Sequence, residues 1–101
     1  MYKQSVSPYK IQPYSYMKAE QLGVFIIPSK NPKYKIEVLD RQGKHLFHIG
    51  DAKYGDYPTF LAEGKYGPIY AERRRELYHL RHWKDANVPN SRGFYAAQIL
   101  W

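Results

Sequence analysis

Cysteine is missing from all 101 residues, which excludes disulfides and thiolate metal sites. That absence fits a protein of a reducing compartment or of a particle assembled inside one. Long apolar runs are missing too: none approaches the roughly 20 residues needed to span a bilayer. The opening MYKQSVSPYKIQPYSYMK has no apolar h-region, so no signal peptide and no membrane association are expected. There is no P-loop, no Gly-rich dinucleotide fingerprint, no G-x-S-x-G and no H-E-x-x-H. The chain is therefore expected to be no enzyme and to take no cofactor and no small-molecule substrate. Negative charge is scarce. Nine Asp and Glu face 16 Lys and Arg, for a formal net charge of +7 and a pI near 9.6. Such a balance favours polyanionic partners.

What the chain does have is aromatic surface. Eleven Tyr, four Phe and two Trp make 17% of it, suited to cores, interfaces and stacking platforms alike. Residues 1–50 hold eight Lys/Arg against three Asp/Glu, and residues 51–101 hold eight against six. The second half thus clusters its positive charge locally.

The length suits one domain with a modest core. Residues 1–21 mix Tyr, Pro, Ser, Gln and Lys without a helical or strand period and read as an extended Tyr/Pro-rich arm. Its tyrosines, Tyr9, Tyr14 and Tyr16 among them, are candidate contacts to a partner. Residues 22–101 are expected to form a single small α+β domain. LGVFIIP at 22–28 reads as a short strand closed by Pro28. In KYKIEVLD, Tyr34, Ile36 and Val38 alternate with Lys33, Lys35 and Glu37, the period of a half-buried strand. A hairpin around Gly43 leads to a returning strand at 45–50, completing an antiparallel β-meander. The run 51–68 is rich in Gly, Pro and Tyr and reads as an ordered loop. Pro68 is a helix starter, and one basic helix is expected over 69–84. The apolar GFYAAQILW at 93–101 closes the core as a short helix or strand.

The basic helix carries the densest chemistry. AERRRELYHLRHW holds four Arg, two His, a Tyr and a Trp in thirteen positions. Ile69, Tyr70, Leu77 and Leu80 fall on one side, with Arg73 alongside, and that side is expected to face the core. Arg74, Tyr78 and Arg81 share another face; Arg75, His79 and His82 line the next. Arg74, Arg75, Tyr78, Arg81, His82 and Lys84 are candidate nucleic-acid or anion ligands, because guanidinium forks match phosphate and an aromatic ring can stack on a base. The plainer alternative is that Glu72 and Glu76 neutralise the arginines within the helix. Tyr95 and Trp101 join the arm tyrosines as candidate partner contacts. No metal site is expected: His79 and His82 could ligate together, but His45 and His48, three apart on a strand, should point to opposite faces. Asp51, Asp56, His48 and His82 could meet in space, yet such groups usually anchor loops.

Three stretches occur in a recognisable order: G-D-A-K-Y-G-D-Y-P-T at 50–59, R-R-E-L-Y-H-L-R-H at 74–82 and G-F-Y-A-A-Q-I-L-W at 93–101. They resemble an uncharacterised family of small basic proteins of large DNA viruses and tailed phages. Its members read D-Y-T, then R-R-x-x-Y-x-x-R-H, then G-F-W-S-R-W-L-L-W. Residues 33–101 carry the resemblance. Gly50, Tyr54, Asp56, Tyr57 and Thr59 fit the first motif, and Arg74, Arg75, Tyr78, Arg81 and His82 the second. Gly93, Phe94, Leu100 and Trp101 fit the third. Pro58 interrupts D-Y-T, and Ala96, Ala97 and Gln98 replace S-R-W. The resemblance implies a viral or phage origin. The expected function is that of a structural or accessory virion protein, capsid-associated, acting by binding viral structural proteins or DNA. Its expected location is the virion, and the host cytoplasm during assembly. Sequence-independent nucleic-acid binding through helix 69–84 is the alternative, and capture of a host protein a further one. The arginine–histidine motif is either a binding face or a lock holding the Asp56 loop and Trp101.

Overall fold

The alternating pattern of residues 34–38 finds its place in the centre of a three-stranded antiparallel sheet of order β1-β2-β3. The computed structural model describes residues 9–101. Along them run α1 (Pro13–Leu22), β1 (Phe25–Pro28), β2 (Tyr34–Leu39), β3 (His45–Asp51), α2 (Tyr57–Glu63), α3 (Gly67–Ala86) and α4 (Arg92–Leu100). The fold is α+β, as expected. β1 meets β2 with Ile26 opposite Val38, and β2 meets β3 with Ile36 opposite Ile49. These side chains join Ile11, Ala19, Val24, Tyr95, Ile99 and Leu100 in one buried cluster. The apolar C-terminal run is a helix, and it packs against both β3 and α1.

Two stretches expected to be irregular are helical, and proline is the reason in both. The arm 1–21 is helical over most of its described part: Pro13–Leu22 is α1, residues 9–12 ahead of it are not helical, and residues 1–8 lie outside the described part. Proline disfavours helix before it but suits a helix's first position, and Pro13 sits at the start of α1. Gly23, at φ 75°, ends the helix, and the N–H groups of Gly23 and Val24 cap the carbonyls of Glu20 and Ala19. Ser15, fully buried, donates its Oγ hydrogen to the Ile99 carbonyl at 2.8 Å and ties α1 to α4. Within 51–68, Asp56 caps α2 by accepting from the Thr59 N–H at 2.9 Å, Pro58 lies in the first turn, and Gly64 closes the helix. The inserted proline thus belongs to a helix start.

The orientation of α3 is a correction. Its aliphatic side chains do not face the core: Ile69 is 84% exposed, Leu80 71% and Leu77 41%, while Tyr70 of the same expected side is partly covered against Phe60. Only Ala71 is fully buried, and Tyr70, Arg74, Arg75, Tyr78, His79 and His82 are partly covered. The helix packs on α2 and α4, where the Tyr78 ring stacks on Trp101 and the Arg75 guanidinium lies over the Tyr57 ring.

A second correction concerns the strand histidines. The β2–β3 register shifts between Val38 and Leu39: Val38 pairs with Phe47 but Leu39 with His45. This bulge leaves Leu46 unpaired and reverses the alternation across it. His45 and His48 consequently lie side by side, ring centroids 4.7 Å apart, with His45 Nδ1 at 2.8 Å from Glu37 Oε2.

A candidate anion-binding cleft

The Asp56 carboxylate organises the centre of the site. Buried at 1% exposure, it accepts from Lys35 Nζ at 2.8 Å and from the Tyr9 hydroxyl at 2.7 Å through Oδ2, while Oδ1 caps α2. Lys35 is itself buried in β2, one residue out of phase with the apolar positions, and its ammonium lies 5.5 Å from the Tyr9 ring centroid. Tyr9 also shares a hydrogen bond with Thr59 at 3.1 Å. Burial, and next the Asp56 charge, push the Tyr9 phenol well above its ordinary pKa. A proton leaving Tyr9 would set a second negative charge against Asp56.

Over this neutralised pair opens a cleft of about 540 Å³. Its walls come from β2–β3 and the following loop (Lys35, Gly50, Asp51, Tyr54), from α3 (Arg74, Tyr78, Arg81, His82) and from α4 (Leu100, Trp101). Gly50 is required here. Its φ is +80°, and a Cβ would stand 2.6 Å from Leu100 Cδ1 and 3.3 Å from Lys35 Cβ. Tyr78 is sandwiched between His82, centroids 4.3 Å apart, and Trp101, at 4.5 Å and within 7° of parallel. Burial raises the Tyr78 pKa; Asp85 adds to the rise and Arg81 opposes it. Tyr78 is therefore a neutral hydroxyl at physiological pH, able to donate.

With Lys35 and Asp56 cancelling, Arg74 and Arg81 outweigh Asp51. Arg74 Nε is buried in the cleft wall with no hydrogen-bond partner among the described residues. A buried donor left unmatched is costly, and an anion's oxygen is the natural acceptor for it.

The structure brings Arg74, Tyr78, Arg81 and His82 into one wall and leaves two of the six candidates out. Arg75 donates from Nε to the Trp101 carbonyl at 2.6 Å, with its guanidinium 5.2 Å from the Tyr57 ring and 3.8 Å from Glu72. It locks α3 to the end of α4. Lys84 is exposed beside Trp83. Of the partner-contact candidates, Tyr9 is engaged with Asp56, Tyr14 packs edge-on to Tyr57 at 5.4 Å, and Trp101 is in the stack. Tyr95 is buried beside Phe47 and Phe94, and Tyr16 alone among them is exposed. Among the described residues no three His, Asp or Glu side chains group as a metal site. Lys35 carries no sequence signal of a site role: alternation assigns it to solvent, and only Asp56 arriving from the loop explains its burial.

Comparison of the chain with family models, with curated proteins and with solved structures finds no match to any of them. No helix among the described residues is long and apolar enough to cross a membrane.

Proposed function

We propose that this chain is a non-enzymatic protein of a virus or phage, a particle component or accessory factor, and that it works by holding phosphate groups of nucleic acid in the Arg74–Arg81 cleft. The observation that carries the reading is convergence. Residues of all three motifs on which the viral resemblance rests, Gly50, Tyr54 and Asp56, Arg74, Tyr78, Arg81 and His82, Leu100 and Trp101, line this one cleft. Arg74 Nε is buried in the wall of this cleft without a hydrogen-bond partner among the described residues, a donor for which packing alone gives no use. Arg74 and Arg81 offer charge-assisted donors, Tyr78 a neutral hydroxyl, and Tyr54, 67% exposed at the mouth, a ring for a sugar or base. Nothing in these contacts reads base identity, so binding is sequence-independent.

Such binding is driven by counterion release and falls steeply with salt. The test is a salt series with short DNA on the full chain and on the Arg74→Ala/Arg81→Ala variant. We expect weaker binding in the variant and a log–log salt slope shallower by about one unit for each phosphate no longer engaged. An unchanged slope in a folded variant removes the cleft from the interface. For the particle assignment, mass spectrometry of purified particles must find the protein.

A further inference from the structure

The face of α3 turned away from the cleft carries its own pattern. Ile69, Arg73, Glu76, Leu80 and Trp83 follow one another at alternating spacings of four and three residues, the seam of a heptad repeat, with Tyr66 at the N-cap just ahead of the helix. Every one of them is exposed, and Tyr66, Ile69, Leu80 and Trp83 show 60, 84, 71 and 56% of their surface. Single exposed apolar residues are ordinary; a contiguous seam along a helix of about 30 Å is not.

The order of chemistries is a palindrome: aromatic, aliphatic, Arg, Glu, aliphatic, aromatic. Laid antiparallel on a second copy of itself, the seam sets Tyr66 against Trp83, Ile69 against Leu80 and Arg73 against Glu76, each pairing occurring twice. Any parallel alignment in register sets Arg73 against Arg73 and Glu76 against Glu76. The receiving holes are present as well. Glu76, His79, Leu80 and Trp83, with Arg75, outline an open hollow on this face, the four-residue hole into which a facing Ile69 would insert.

We infer that the protein forms a two-fold symmetric dimer through antiparallel pairing of α3, the self-complementary arrangement in which one patch serves both copies. The inference does not rest on the cleft reading, since Arg74, Tyr78 and His82 occupy the other side of the helix.

Sedimentation of the full chain across the micromolar range tests it. The expected mass is twice 12.0 kDa. Glu76→Arg, which gathers four arginines at the centre, should reduce the mass to that of one chain with circular dichroism unchanged. The swap Arg73→Glu/Glu76→Arg restores the palindrome and should restore the dimer. Orientation is read by cross-linking in this cysteine-free chain. Ile69→Cys mixed with Leu80→Cys should form a disulfide. Leu80→Cys alone should not, because antiparallel pairing keeps the two copies of residue 80 about 16 Å apart along the axis. A monomeric wild type, a Glu76→Arg variant that still dimerises, a folded swap that stays monomeric, or cross-linking by Leu80→Cys alone overturns the inference.

Discussion

Asp56 is tied to the rest of the molecule by three donors from three segments: Lys35 of β2, Tyr9 ahead of α1, and the Thr59 N–H of α2. Asp56→Ala leaves the Lys35 ammonium buried without its counterion, a change that costs about 3–5 kcal/mol. In a chain of this length that lowers Tm by at least about 12 °C. Lys35→Met added to Asp56→Ala removes the stranded charge and should recover part of that stability, measured by thermal unfolding of both variants. Tyr9 adds a pH dependence. Its phenol is raised in the folded protein, so the unfolded chain releases that proton first, near pH 10. The associated stability is complete below about pH 10 and declines as pH rises beyond it. Denaturant midpoints between neutral and alkaline pH should therefore fall more steeply for wild type than for Tyr9→Phe. Neighbouring residues also show how the helix motif divides: Arg75 is bonded to the Trp101 carbonyl, while Arg74 Nε, buried in the cleft wall, has no partner among the described residues.

At the level of elements, α4 reaches the sheet because Gly50 lets it. Gly50→Ala combines a positive-φ penalty of about 1–2 kcal/mol with overpacking of about 1–3 kcal/mol against Leu100. Gly43→Ala has a similar φ of +83° and nothing within 4 Å of the new Cβ, so it carries the first cost alone. The difference between the two variants in chemical denaturation isolates the α4–β3 approach, and equal destabilisation would show that the close packing at Gly50 is unimportant. The β-meander was legible in the sequence, since alternation and a Gly turn are local signals. α1 and α2 were not. Both have a proline in the first turn, and a proline reads as a breaker or a starter depending on whether capping and packing partners follow. For α1 the partners are Gly23 next along the chain and Ile99, 84 residues from Ser15.

For the molecule as a whole, the two proposals fall on different faces of α3. The side carrying Arg74, Tyr78 and His82 closes the cleft, and the side carrying Ile69 and Leu80 is free for a second copy. Dimerisation and nucleic-acid binding should be separable. Glu76→Arg should keep its affinity for a short oligonucleotide while no longer dimerising, and Arg74→Ala/Arg81→Ala should do the reverse. On long DNA, where both clefts of a dimer engage one chain, Glu76→Arg should bind more weakly than wild type because it lacks avidity. Gel-shift titrations on short and long DNA check this.

The sequence by itself determined the α+β class, the meander, a helix with Pro68 in its first turn, the positive balance and the concentration of arginine and tyrosine in that helix. Each of these is a property of composition or of near neighbours along the chain. Which side of that helix faces inward was decided by tertiary structure, against its amphipathic pattern. Trp101 offers Tyr78 a flat ring and Arg75 a carbonyl, and these interactions outweigh the burial of Ile69 and Leu80. Lys35 is buried because Asp56 comes to it from 21 residues away. The cleft exists only where three separated segments meet, and no local pattern encodes that meeting.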